Sequence, residues 1–160
     1  MKTRPLSPVR PLNLDDCQAV ADLETQLFAG RFTVQSLRDM LNKSAFYGAV
    51  LPAAGQAAVI HAYCLSTITA DCADLIAIGT HSDWHRRGFG RVMLEHLIGV
   101  IEQRHVEKIV LEVAADNMPA RQLYDSCGFF EIGCRKNYYQ CGETRCDAVI
   151  MARLRGSAFS

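Results

Sequence analysis

The sequence predicts an α/β fold, a mixed central sheet of about seven strands flanked by about four helices. Two observations predict it. Apolar runs of strand length alternate with segments whose apolar residues recur at helical spacing, in the order β α α β β β α β α β β. The second half reads as two successive β-α units, which places parallel strands beside the antiparallel meander of the first half. No repeat or linker interrupts the 160 residues. One domain is therefore expected over 9–155, with tails at 1–8 and 156–160.

Each element has a local reason. The segment Val-Arg-Pro-Leu at 9–12 reads as a short edge strand. From Asp15 onward, Cys17, Val20, Leu23 and Leu27 share one helical face, and Gly30 interrupts it. Thr33 is a good N-cap for a second helix that turns Val34, Leu37, Met40 and Leu41 inward. Strands are expected at 46–52, 57–67 and 73–80, separated by a turn at 52–55 and another at 69–72. A helix follows Gly90, with Met93, Leu97 and Ile101 on one face. The β-branched run at 108–115 reads as a buried strand carrying one acid, Glu112. Asn117 caps the next helix, Pro119 fits its first turn, and Gly128 stops it. Strands at 129–135 and 146–154 close the chain around a loop.

Composition narrows the function. Lys+Arg and Asp+Glu are equal at 17 each, so bulk charge gives no footprint for nucleic acid or a membrane surface. No apolar run reaches the length of a membrane span, and "MKTRPLSPVRPLNLDD" lacks the apolar core of a secretion signal, so a cytoplasmic protein is expected. The seven cysteines are odd in number and scattered, and are expected to be reduced thiols. Cys134, Cys141 and Cys146 cluster late in the chain, but a zinc site needs a fourth ligand and better spacing, so no metal is expected.

The segment "HSDWHRRGFGRVMLEHL" at 81–97 joins a basic glycine turn to a helix start. Glycines let backbone N–H groups approach an anion, and the helix terminus adds partial positive charge. Arg86, Arg87 and Arg91 add charge-assisted contacts. A dinucleotide turn is disfavoured, because Met93 takes the third glycine position and a polar loop separates the glycines from the preceding strand. The Walker phosphate-loop string is absent.

"HRRGFG" resembles the acyl-CoA pyrophosphate loop of the GNAT N-acetyltransferases. "ADLIAIGTHSDWHRRGFGRVMLEHL", "VLEVAADNMPARQLYDSCGFFEIGCRKNYY" and "DAVIMARL" are together similar to the ribosomal-protein-alanine branch of that family. The chain departs from the family pattern at His85, where Gln or Arg is usual, at Phe32 for Trp, and at Ala77 for Asn. The resemblance implies the GNAT fold, splayed between strands 4 and 5, and acetyl-CoA as co-substrate. It implies that Ile78, Gly79 and Thr80 pair with the pantetheine arm, that Arg86, Arg87, Gly88, Phe89, Gly90 and Arg91 hold the pyrophosphate, and that Asn117 contacts CoA.

Acyl transfer to an amine needs a neutral amine and a proton for the leaving thiolate. An α-amine, with a pKa of about 8, is mostly protonated at neutral pH. Glu112 is the candidate base, directly or through water; inside an apolar strand it is expected to lose water, which strengthens a carboxylate as a base. Tyr124 is the candidate acid. Phe32, Arg135, Tyr138 and Tyr139 are expected to line a peptide groove, the last three on the loop between the final two strands. The implied reaction acetylates a protein's N-terminal α-amine, the expected target being the alanine terminus of a small-subunit ribosomal protein. A GNAT enzyme for a small-molecule amine and a catalytically silent CoA-binding module are the alternatives.

Overall fold

The computed structural model describes residues 8–160. Its elements are β1 (Arg10–Pro11), a 3-10 turn (Leu14–Asp16), α1 (Cys17–Phe28), α2 (Val34–Leu41), β2 (Phe46–Ala53), β3 (Gln56–Ile68), β4 (Cys72–Thr80), a second 3-10 turn (Ser82–Trp84), α3 (Phe89–Gln103), β5 (Lys108–Ala114), α4 (Met118–Ser126), β6 (Phe130–Cys141) and β7 (Thr144–Leu154). The seven strands form one sheet in the order β1-β2-β3-β4-β5-β7-β6. Strands β4 and β5 run parallel, pairing Cys72–Leu75 with Lys108–Leu111. Their pairing ends at Leu75 and Leu111, while β4 continues to Thr80 and β5 to Ala114. This is the expected mixed sheet, splayed between strands 4 and 5.

The chain divides into two compact units. One comprises the described residues up to Thr67 with Ile76–Leu97; the other comprises Ile68–Leu75 with Ile98–Ser160. In the first, Cys17, Val20 and Leu23 of α1 and Leu37 of α2 bury against Val50 of β2 and Ile60, Tyr63 and Leu65 of β3. Asn13 and Asp16 form a reciprocal cap at the turn into α1, and Arg10 grips Asp16 through two bonds of 2.7 and 2.8 Å. Ala29 and Gly30 are both left-handed (φ 60° and 75°), which ends α1. Thr33 accepts from Ser36 N–H at 3.1 Å and opens α2, as its position predicts.

In the second unit, β7 pairs antiparallel with β5 from Lys108↔Leu154 to Ala114↔Ala148, and with β6 on its other side. A buried arginine anchors the end of the chain. Arg153, 2% exposed, donates to Cys127 O at 2.9 Å, Glu102 Oε1 at 2.9 Å and Ser157 O at 2.6 Å. Its guanidinium lies 5.1 Å from the Phe159 ring centroid, and Ser160 N–H donates to Ser126 O. Residues 156–160 are thus docked against the end of α4. Gly128, at φ 85°, has no room for a Cβ, which would lie 2.6 Å from Ala158 O.

Two readings of the sequence need correction here. The segment after Arg135 is strand, not loop: β6 continues to Cys141, so Arg135, Tyr138 and Tyr139 all lie on it. A register shift between Arg135 and Tyr139, with Asn137 left-handed at φ 51°, absorbs the polar residues without ending the pairing to β7. The thiols of Cys141 and Cys146 are joined in a disulfide across the hairpin. The tight turn at Gly142 (φ 65°) holds their Cα atoms 6.0 Å apart, within disulfide range.

Candidate active site

The candidate anion-binding turn lies in the first unit. His85–Gly88 are exposed, Arg86 is left-handed at φ 60° and Gly88 at φ 79°, and α3 begins at Phe89. A helix start leaves its first N–H groups without partners in the helix. A Cβ built on Gly88 meets nothing within 4 Å, so the space beside that glycine is open. Position 85, where the family carries Gln or Arg, is pinned by a ring nitrogen of His85 lying 2.7 Å from Thr80 O. The three arginines are not equivalent. Arg87 stacks on Trp84 at 4.5 Å, whereas Arg91 pairs with Glu95 at 2.8 Å one turn along the helix. Phe89 is buried and stacks with Trp84 and His61, so it anchors the turn from behind. These residues fit a pyrophosphate: an exposed left-handed glycine, a helix start and two guanidinium groups on one short turn.

Behind β4 lies a buried pair absent from the sequence reading. Tyr63 of β3 donates its hydroxyl to Glu24 of α1, and both residues are fully buried. Burial, reinforced by that bond, pushes the Tyr63 phenol well above the usual tyrosine range. Gly79 packs against the same ring, and a Cβ there would lie 2.6 Å from Tyr63 Cε1. Glycine at 79 therefore lets the Tyr63 ring fill the space beside the strand expected to meet pantetheine. Arg31 donates to Ile76 O at 2.7 Å and lies 4.8 Å from the Phe32 ring centroid. Phe32 packs partly buried on this unit's core. A sequence signal for Glu24 existed: with Val20, Leu23 and Leu27 it completes an i, i+3, i+4, i+7 apolar face, where an acid is out of place.

The candidate acid–base residues lie in the second unit. Glu112, in the middle of β5, is not desolvated as its apolar neighbours suggested. Its side chain is 27% exposed, and its Oε1 lies 3.1 Å from Arg135 Nε across the sheet. The cause is the strand alternation: Ile109, Leu111 and Val113 turn to the buried face and Glu112 to the other. Arg135 also lies 5.4 Å from the Tyr138 ring centroid, and Tyr138 meets Tyr139 edge-on at 5.1 Å. Tyr124 of α4 is buried against Phe129. Burial, with Tyr139 nearby, pushes its phenol up to about 12. Asn117 Oδ1 accepts from Ala120 N–H at 3.3 Å and caps that helix.

A model of the acetyltransferase (GNAT) family matches residues 18–129. The chain belongs to the acetyltransferase (GNAT) family. It is 44% identical over 91 residues to the ribosomal protein bS18-alanine N-acetyltransferase of Escherichia coli K12, a match spanning 57% of this chain and 62% of that protein's length. The solved structure of the ribosomal-protein-S18-alanine N-acetyltransferase from Escherichia coli is similar over 94% of this chain and 95% of that one, with a TM-score of 0.85 and 32% identity. A spermidine N-acetyltransferase from Vibrio cholerae, solved with CoA and spermine, shares the fold at TM-score 0.80 with 19% identity, covering 94% of this chain and 96% of that one. The GNAT frame therefore carries acceptors of different kinds, and the side chains must decide among them.

Proposed function

We propose that this protein transfers an acetyl group from acetyl-CoA to the N-terminal α-amine of a protein in the cytoplasm, the acceptor being the alanine terminus of the ribosomal protein bS18. The observation that carries the reading is 32% identity over nearly the whole of both chains to an enzyme named for that acceptor. The side chains of the second unit agree with it.

Bound acetyl-CoA supplies the activated acetyl thioester. Ile78–Thr80 offer backbone to the pantetheine arm, and the Arg86–Arg91 turn takes the pyrophosphate charge. Asn117, which caps α4, contacts CoA. Glu112 accepts the proton of the incoming ammonium, directly or through water, and Arg135 fixes the carboxylate's direction. Tyr124 donates a hydrogen bond from Oη to the leaving sulfur, and the thiolate takes up the proton that the attacking nitrogen sheds as the C–N bond forms. Tyr138, Tyr139 and Phe32 contact the peptide behind the reacting terminus.

The α-amine preference follows from proton affinity. An α-ammonium, with a pKa of about 8, gives up its proton more than two units more easily than a lysine at about 10.4, a difference of roughly 3 kcal/mol. The test uses one alanine-initiated hexapeptide in three forms: free, N-terminally blocked, and blocked with an added lysine. Mass spectrometry should find acetylation of the free form alone. Equal acetylation of the blocked lysine form would refute the α-amine assignment. Reaction with spermidine and with none of the peptides would assign a small-molecule acceptor instead.

A further inference from the structure

At the tip of the β6–β7 hairpin, three potential metal ligands that play no part in acetyl transfer come together. The ligand atoms of Asp116, Cys141 and Cys146 all lie within 4.8 Å of one another. The two cysteines flank the turn through Gly142, with Cα atoms 6.0 Å apart. Asp116 comes from the β5–α4 turn, and the backbone fixes it beside them. Ala115 N–H donates to Asp147 O at 2.8 Å, next to Cys146, and Met118 N–H donates to Asp116 O at 2.9 Å. The carboxylate is exposed and the two sulfurs are half-buried, so a cation can enter from solvent.

We propose that, in its reduced form, this hairpin binds a divalent cation of the zinc class through the thiolates of Cys141 and Cys146 and the carboxylate of Asp116, with water as the fourth ligand. The Cys-x4-Cys spacing is within the range of structural and catalytic zinc ligands. Two thiolates select a borderline-soft ion over magnesium or calcium. Tetrahedral coordination with metal–sulfur bonds of about 2.3 Å needs ligand atoms roughly 3.3–3.8 Å apart. Ligand atoms already within 4.8 Å of one another need to close by no more than about 1.5 Å to meet that spacing, once the sulfurs part from their bond. The carboxylate is on a surface turn and the thiols are at a hairpin tip, the places where such adjustment is easiest.

The site and the disulfide exclude each other. A dithiol reductant delivers two electrons and two protons to the S–S bond and becomes a disulfide itself, leaving two thiols. The cation then displaces both thiol protons and binds the thiolates. A small-molecule disulfide reverses this by thiol–disulfide exchange: it takes the two electrons and leaves as two thiols with protons from solvent, the S–S bond reforms and the cation is released. A bound cation would tie the hairpin that carries Tyr138 and Tyr139 to the turn that leads into Asn117 and α4.

The test is titration of the full chain, reduced with a phosphine, by cobalt(II) as a spectroscopic stand-in for zinc. Saturation at one cobalt per chain is expected, with thiolate-to-metal charge-transfer absorption that excess zinc abolishes. The oxidised protein should show none. Cys146→Ser should remove the band, Cys134→Ser should keep it, and Asp116→Asn should weaken binding by about 10-fold or more. In the unaltered protein, zinc should protect Cys141 and Cys146 from alkylation, read by peptide mass spectrometry, so the result does not depend on any variant folding. No saturable band, a band that survives Cys146→Ser, no protection, or full affinity in Asp116→Asn would each overturn the site.

Discussion

Tyr124→Phe separates a catalytic hydroxyl from a packing ring. The phenol is pushed up to about 12 in the fold, against about 10 in an unfolded chain. Two units correspond to about 3 kcal/mol. Because the folded value is the higher one, that stability is whole below pH 10 and is lost as the pH climbs through about 12. At pH 11 about half of it is lost, since the unfolded chain has by then mostly given up this proton and the folded chain has not. Phenylalanine keeps the ring against Phe129 but has no proton to lose. Urea melts of both proteins at pH 8.5 and pH 11 should therefore show the natural protein losing about 1 kcal/mol more than the variant. With a urea slope of about 1–3 kcal/mol per molar, that is a midpoint difference of roughly 0.3–1 M. Buried Tyr63 and Cys64, both also raised, lose stability equally in the two proteins and cancel. Equal losses would refute the burial argument. The same variant tests catalysis. Full transfer of a proton from a phenol at about 12 to a thiolate at about 8.5 is uphill by roughly 5 kcal/mol, so the hydroxyl acts chiefly by hydrogen bonding to the forming charge. The kcat should fall by about 10²–10⁴ with the Kd for acetyl-CoA nearly unchanged. Unchanged turnover would make Tyr124 a core residue only.

Three further outcomes are expected. Acetyl-CoA at about 100 times its Kd should stabilise the natural protein by roughly 2.7 kcal/mol, a Tm rise of about 5–10 °C; Gly88→Val, which forces a β-branched residue to φ 79°, should fold but lose the rise in a thermal-shift assay. Gly79→Ala sets a methyl 2.6 Å from the Tyr63 ring and should cost about 1–3 kcal/mol, a cost that shrinks in the Gly79→Ala, Tyr63→Leu double variant. Arg153→Met should cost about 1–3 kcal/mol in a urea melt, because it removes the buried donor to Cys127 O and Ser157 O while Glu102, 40% exposed, is left to solvent, and it should expose residues 156–160 to carboxypeptidase.

The frame was legible where local chemistry and packing agree. Thr33, Asn117 and Gly128 mark helix ends by side chain or by left-handed backbone, and each lies where its residue type places it. The strand at 73–80 and the helix after it are long and strongly periodic; the strand begins one residue early, at Cys72, and the helix expected after Gly90 begins at Phe89. The last hairpin was the weak point. Polar and aromatic residues from Lys136 to Gln140 look like loop, yet pairing to β7 holds them in strand, with Asn137 supplying the left-handed step. No local rule reveals that, because the partner strand is read only later in the chain.

The site was legible in its parts but not in its couplings. Glu112 was visible as an acid in an apolar strand, and strand alternation alone should have turned it away from the core. Its neighbours Ile109, Leu111 and Val113 occupy the buried parity, so the position between Leu111 and Val113 faces the other way. What alternation cannot supply is Arg135, which is twenty-three residues away along the chain and reaches Glu112 only because β7 lies between β5 and β6. Glu24 and Tyr63 follow the same logic. Each looks like an isolated exception in its own segment, an acid on an apolar helix face and a tyrosine in a buried strand, until the fold joins them. A polar residue at a position of core parity is therefore a request for a partner, which the sequence poses and only the sheet order answers.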